Sequence, residues 1–463
     1  MNELTLIADA DQRAASYIAS VDTRRVYPDE AAISALSAFS EALPEHGRSA
    51  SETLAMLDDI GSQATVVSNG PHYFGFVIGA SLPSAAAAER MMLAWDQCAS
   101  SFDNSPVAAT LEKVAAEWVL EVLDLPRESA VGFGTSATAC TIGCLTAARR
   151  ALLANQGWDF DANGLIGAPE VKVIVSDVVH ITVKKALRML GFGVNRLFIA
   201  PTDEFGRIDP AQLPTIDDMT IVCLQAGEVN TGEFDPFEML IPLAKKAGAW
   251  VHVDGAFGLW ARASAKTAHL TSGAELADSW TTDGHKWLNT PYDGAMAICR
   301  DADALARAMN SDAVYATAAA DAQKNLTLEF SRRARGIPIW AALRSLGRHG
   351  VAEMIERHIR QAQRLAAALS KAEFDVVNRV LLNQVLVRGD DDDATRAIRA
   401  AVEASGKAWF GATMWRGRPA FRLSISSWRT RDQDIDDLVA LLVEARKAIS
   451  PTREENGAMD LLR

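Results

Sequence analysis

Two residues between Trp250 and Trp287 have types that could do chemistry together. Asp254 ends the run WVHVD, and Lys286 sits in DSWTTDGHKW with His285 before it and Trp287 after it. A lysine amine condenses with an aldehyde. A carboxylate under a pyridine nitrogen keeps that nitrogen protonated, so the ring can draw electrons from a substrate's α-carbon. The pair is what a pyridoxal-phosphate site demands. Taken singly, Asp254 reads equally as a helix N-cap and Lys286 as a solvated surface charge, because both residue types are mostly exposed in proteins.

Such residues need a scaffold that brings distant segments to one place. The central chain alternates short β-branched apolar runs (VKVIVS, RLFIA, TIVCLQA, WVHVD, AMAICR) with longer segments of helical spacing at 138–154, 177–190 and 235–247. That alternation predicts an α/β fold: a mainly parallel sheet with helices on both faces. Ligands of this architecture bind at the carboxyl ends of strands, where Asp254, His180 and the Gln225–Asn230 loop fall. Gly134-Thr135-Ser136-Ala137-Thr138 precedes an apolar helix and offers a phosphate small residues, backbone N–H groups and a helix dipole; a plain Ser/Thr N-cap is the other reading of the same residues. His252, two residues before Asp254 on its strand, points to the same side and is expected to orient it.

The 463 residues, 49% hydrophobic, suffice for two or three domains. The chain divides into an N-terminal helical segment (1–90), a large cofactor-binding domain (91–340), a small C-terminal α+β domain (341–449) and a tail (450–463). A net charge of −13 argues against nucleic acid or an anionic membrane as partner. The N-terminus lacks the basic region and apolar run of a signal peptide, and no stretch of about 18 apolar residues suggests a membrane span. The five cysteines (Cys98, Cys140, Cys144, Cys223, Cys299) lie in apolar segments without metal-ligand spacing, so they read as reduced thiols of a cytoplasmic protein with no metal site.

Nine segments, in order, carry a wider pattern that includes the Asp254 and Lys286 motifs: PHYFGF, SPVAATLE, GTSATACT, SDVVH, QAGEVNTGEFDP, HVDGAF, DGHKW, SRRARGIPIW and FRLSISSWRT. Across residues 65 to 445 the chain resembles the group II pyridoxal-phosphate-dependent amino-acid decarboxylases, among them the aromatic-L-amino-acid, tyrosine, histidine and glutamate enzymes. The resemblance implies a fold-type I transferase-like architecture with a mainly parallel seven-stranded sheet. It also implies a homodimer with shared active sites, and a reaction that takes an L-amino acid, of aromatic preference, to its amine and carbon dioxide.

The resemblance also assigns roles. Ser136, Ala137 and Thr138 bind the cofactor phosphate, with His285 as a further donor; His180 stacks on the pyridine ring and is a candidate proton donor; Asp254 pairs with the ring nitrogen; Ala256 lies against the other face; Lys286 holds the cofactor. Arg422 matches an arginine near the substrate carboxylate, and a salt bridge between domains is its other reading. Phe74 and Phe102, with Tyr73, match stretches that line the substrate pocket, often from the partner subunit, and such clusters also serve as interface core.

The chain departs from the family at three places. The segment after Tyr315, ATAAADAQKNLTLEF, is short and has no tyrosine to protonate the α-carbon; Asp283 stands close to the expected phosphate; and Glu228-Val229-Asn230 replaces a Thr-Thr pair. These departures keep other outcomes open: glutamate or a diamino acid as substrate, an aldehyde-forming, transaminase or carbon–carbon lyase reaction, or a catalytically silent binding protein.

Overall fold

The computed structural model describes residues 2–310 and 322–449. The tail from 450 and part of the short segment after Tyr315 lie outside the described residues. Contacts gather the chain into two compact units. The first comprises residues 1–80, 363–377 and the chain from 385; the second comprises 81–362 and 378–384. Residues 1–80 group with the C-terminal elements in the first unit.

The second unit is built on a seven-stranded sheet. In chain order its strands are β1 (Ala130–Gly134), β2 (Lys172–Ser176), β3 (Phe198–Ala200), β4 (Thr220–Gln225), β5 (Trp250–Asp254), β6 (Ser279–Asp283) and β7 (Ala295–Cys299). Their spatial order is β1-β7-β6-β5-β4-β2-β3. The five strands β3, β2, β4, β5 and β6 pair in parallel, while β7 runs antiparallel to both β6 and β1. Every residue of β4 to β7 is buried, so both faces of the sheet are covered, the arrangement expected of parallel strands.

Register decides which side chains meet. Gln225, Asp254, Thr281 and Ala297 form one row across the sheet, and Cys223, His252, Ser279 and Cys299 form another on the same face. Gly134 and Asp283 both pair with Ala295, so the turn after β1 leaves the sheet at the edge where β6 ends.

The helix Ala137–Asn155 lies on this face and comes close because its contacting residues are small. Cys140 and Cys144 cluster with Ala295 and Ala297, and the Thr141 and Thr281 hydroxyls are 3.5 Å apart. At Gly134 an added Cβ would lie 2.8 Å from Cys140 Sγ, which is why only glycine fits the approach. Burial pushes the Cys223 and Cys299 thiols up to about 12, so they behave as small apolar groups rather than nucleophiles.

The first unit carries an antiparallel sheet of β8 (Asp375–Val376), β9 (Gln384–Arg388), β10 (Gly411–Trp415) and β11 (Arg418–Ser424), in the order β10-β11-β9-β8. Trp409 stacks on Tyr73 at 5.2 Å and on Tyr27 at 6.4 Å. Phe74 is tied into the same unit through its N–H to Trp409 O and its carbonyl to Ser424 N. Within the stretch His72–Phe76, Tyr73 and Phe74 are buried and Phe76 is exposed.

Some elements differ from their sequence reading. The helix expected over 177–190 begins at Ile181, because residues 177–180 form a turn and His180 is the N-cap. Strands β8 and β9 are separated by residues 377–383, whose Asn378 side chain donates to Thr231 O and Gln384 O. The helix from Gly336 to Lys371 breaks at Gly347, where φ is 61° and the chain leaves helical geometry.

Candidate active site

The ends of β2, β4, β5 and β6 carry the polar residues Ser176, Gln225, Asp254 and Asp283. Gln225 Nε2 donates to Ser176 Oγ at 3.0 Å and fixes the first two strand ends. Beyond Asp254, the Ala256 N–H donates to Asp254 Oδ1 at 3.2 Å, and the Ala256 carbonyl accepts from Asp283 N at 2.9 Å. One short loop thus binds the ends of β5 and β6 together and places Asp254 and the turn bearing Lys286 side by side.

Four groups converge at the start of the helix Ala137–Asn155. Asp283 Oδ1 accepts from the Ala137 N–H at 2.8 Å, and Asp283 Oδ2 lies 3.1 Å from Lys286 Nζ and 3.7 Å from His285 Nε2. Ser136 is the N-cap, its Oγ accepting from Ala139 N at 3.3 Å. The Thr138 N–H, one of the first-turn donors, has no partner within the helix. His285 is buried, which holds its pKa below the usual histidine value, and Gly294 N donates to Nδ1, so the ring proton is on Nε2 and faces Asp283. Tyr292 lies against His285 with ring centroids 4.4 Å apart; burial and Asp283 push its phenol up to about 12, so it keeps its proton.

This donor set suits pyridoxal phosphate. A carboxylate already occupies the Ala137 N–H, which shows that the helix start accepts an anion. The remaining N–H, the Ser136 and Thr138 hydroxyls and the His285 Nε2–H are the donors a phosphate needs. His180 caps the helix after β2. The Thr182 N–H donates to His180 Nδ1 at 3.4 Å and the Thr182 hydroxyl lies 2.6 Å from it, so a neutral ring carries its proton on Nε2.

His252 does not orient Asp254 as its alternation suggested. Its Nδ1 meets Ser279 Oγ at 2.9 Å on the neighbouring strand, and its Nε2 is buried without a partner. Burial pushes this histidine down to about 3. Because the folded value lies below the unfolded one of about 6.5, the unfolded chain binds the extra proton between these two values, and stability is lost as pH falls through that window. His252→Gln keeps the partner for Ser279 and removes the titration. Thermal melts at pH 7 and pH 4.5 are expected to show a smaller acid loss for the variant, by about 2 kcal/mol; equal losses would show that His252 does not titrate in this range.

Glu228 also has a local reason. Its carboxylate accepts from the N–H groups of Asn230 and Thr231 and from both their side chains, closing the loop 228–232, while burial raises its pKa. Glycine at 227 is required because φ is 91° there and an added Cβ would lie 2.9 Å from the Phe257 ring. The departure from a Thr-Thr pair is thus a loop that satisfies itself.

Phe102 is 62% exposed and lines a cavity of about 910 Å³ with Glu112, Lys113, Phe133 and Arg332, a lining that does not include Lys286, Asp254 or His180. Phe74 and Arg422 belong to the first unit; Arg422 is buried at the centre of β11. Sequence reading missed Tyr292, whose signal was an aromatic six residues beyond Lys286, and it noted Asp283 as a departure without seeing that it reaches Lys286. Among the described residues no cluster of His, Cys, Asp and Glu could hold a metal, and no helix is long and apolar enough to cross a membrane.

Residues 36–388 match the pyridoxal-dependent decarboxylase conserved domain. An aromatic-L-amino-acid decarboxylase of Bacillus atrophaeus is 27% identical over 76% of this chain and 74% of its own. The 4-hydroxyphenylacetaldehyde synthase of Rhodiola rosea is 26% identical over 94% of this chain and 92% of its own. In fold, the chain is similar to a solved structure of Oryza sativa TDC with PLP and tryptamine, with a TM-score of 0.89 at 22% identity over 97% of this chain and 99% of that one. Sheet topology and donor set define a fold-type I enzyme dependent on pyridoxal phosphate. The chain belongs to the pyridoxal-dependent decarboxylase family, and its reaction is that of a carboxy-lyase acting on an amino acid.

Proposed function

We propose that this enzyme decarboxylates an aromatic L-amino acid to the amine, working as a homodimer in the cytoplasm. The observation that carries the reading is the joining of Asp254, Ala256 and Asp283 by two hydrogen bonds, which sets the Lys286 turn beside Asp254 at the carboxyl edge of the sheet. The aromatic preference is supported by the Bacillus atrophaeus relative. Exposed Met91, Leu93 and Phe102 support a partner subunit, since a lone chain gains by covering apolar surface.

When bound, pyridoxal phosphate supplies an aldehyde for an amine and a protonated ring that draws electrons from the α-carbon as the carboxyl group leaves. The chain does the rest. Ser136, Thr138 and His285 would hold the phosphate by N–H and O–H donors, with Ala137 allowing close approach. Lys286 Nζ, 3.1 Å from Asp283 Oδ2, would hold the cofactor through its aldehyde. Asp254 would keep the ring nitrogen protonated, the small Ala256 would leave room for the ring, and His180 would stack on it and is the candidate proton donor. Arg422 and Phe74 are assigned to the substrate carboxylate and side chain on resemblance alone.

A second reading is favoured by the Rhodiola rosea relative and by the absence of tyrosine from residues 316–330. In it, the same loss of carbon dioxide is followed by oxidation with molecular oxygen. Amino acid, oxygen and water become aldehyde, carbon dioxide, ammonia and hydrogen peroxide. A panel of aromatic, acidic and diamino L-amino acids, with carbon dioxide, amine and aldehyde counted together, separates the readings. We expect one amine per carbon dioxide from an aromatic substrate; one aldehyde per carbon dioxide would establish the second reading, and release only from glutamate or a diamino acid would remove the aromatic assignment.

A further inference from the structure

Asp283 is the group at this site whose charge is hardest to reconcile with a phosphate. It is buried, it takes the Ala137 N–H that heads the phosphate-binding helix, and its other oxygen contacts Lys286 Nζ, so a single carboxylate holds both an anion donor and the cofactor lysine. The His285 Nε2–H, fixed on that nitrogen by the bond from Gly294, faces the same oxygen at 3.7 Å. The helix N–H and the imidazole N–H are donors that an incoming phosphate would use, and the ammonium is the group that would meet the cofactor aldehyde.

We propose that Asp283 is a built-in anionic placeholder that keeps the phosphate cup and Lys286 ordered in the cofactor-free chain and that the cofactor phosphate has to displace or repel. This rests on the reading of Lys286 as the cofactor lysine. The physical argument is one of like charges. A carboxylate and a phosphate dianion sharing the first turn of one helix repel each other in a site with little water to screen them. The carboxylate therefore lowers the advantage of a phosphorylated cofactor over the same aldehyde without phosphate. Asp283 is in this sense a positioning residue. It acts through Lys286 and the helix start, and its charge sets how strongly the phosphate is held.

The test compares affinities of the cofactor-free protein for pyridoxal phosphate and for pyridoxal, in wild type, Asp283→Asn and Asp283→Ser. Binding is followed by absorbance near 420 nm and by quenching of tryptophan fluorescence. Both ligands present the same aldehyde to Lys286, and the cyclisation of free pyridoxal is the same for every variant, so the ratio of the two dissociation constants isolates the phosphate. We expect the preference for the phosphorylated form to rise tenfold or more in both variants, mainly through tighter pyridoxal phosphate. An unchanged or smaller ratio would overturn the placeholder. Failure of both variants to melt cooperatively would also overturn it, since Asp283 would then be a structural cap and not an exchangeable anion. If wild type binds neither aldehyde while folded, the assignment of Lys286 fails instead, and the two failures are distinct.

Discussion

Lys286→Ala is expected to abolish carbon dioxide release while leaving the chain folded. The side chain is partly exposed at the edge of the sheet, so its removal opens no cavity in the core, and the contact it gives up is one ion pair with Asp283. Catalysis is another matter. No other described lysine stands at the carboxyl edge of β5 and β6, so under the proposed role of Lys286 the variant would have no amine there to hold the cofactor aldehyde. Loss of one member of a covalent device removes most of the rate enhancement rather than a fraction of it, and a fall of about 10⁴-fold or more is expected. Turnover of aromatic L-amino acids, together with borohydride trapping and peptide mapping of the labelled lysine, checks the outcome. A reducible cofactor adduct that survives at a different lysine would sink the assignment. Melting within a few degrees of wild type is the expected control, because the substitution touches no buried apolar group.

How much of this was legible in the sequence depends on how each residue is recognised. The strands β2, β4 and β5 stood out because they are runs of Val, Ile and Leu buried on both faces, and their carboxyl ends pointed to Asp254 and Gln225 directly. Strands β1 and β6 did not. AVGFG holds two glycines needed for the close approach of a helix and of the segment at Leu326, and SWTTD is polar by type although every residue is buried. The polar face of β6 is explained only by its neighbours, since Ser279 serves His252 and Trp250 while Thr281 meets Thr141.

The site divides in the same way. Lys286, Asp254 and His285 carry signals in their spacing, whereas Asp283 and His252 depend on tertiary partners. The alternation rule correctly put His252 on the face of Asp254, yet the bond it forms runs sideways to Ser279, a choice set by strand pairing and invisible along one strand. Asp283 was visible as an odd charge near a phosphate. That it would be met by a backbone N–H, a lysine and a histidine could follow only from knowing that β1 and β6 end at the same edge.

The second large effect is expected from Asp254→Asn. The carboxylate sits at the end of β5, buried between Gln225 and Thr281 in its row, with Oδ1 held by the Ala256 N–H. An asparagine keeps the shape and can keep that hydrogen bond through its own Oδ1, so neither the sheet nor the loop to β6 has reason to change. What disappears is the negative charge. A pyridine nitrogen facing a carboxylate in a water-poor site is held protonated, and facing an amide it is not, so the ring loses its capacity to accept electrons when the carboxyl group leaves. Removing one preorganised electrostatic partner of developing charge costs about 10² to 10³-fold in other enzymes, and a loss at least that large is expected in kcat, with KM little changed because the proposed role of Asp254 is toward the ring nitrogen and not the substrate. Cofactor retention measured after gel filtration should stay within a few-fold of wild type, which separates the loss of electron withdrawal from loss of the cofactor. Near-normal kcat in the asparagine variant would mean that a different carboxylate faces the ring nitrogen. Asp283, 3.1 Å from Lys286 Nζ, would be the first alternative, and the double variant with Asp283→Asn would then carry the loss that the single one did not.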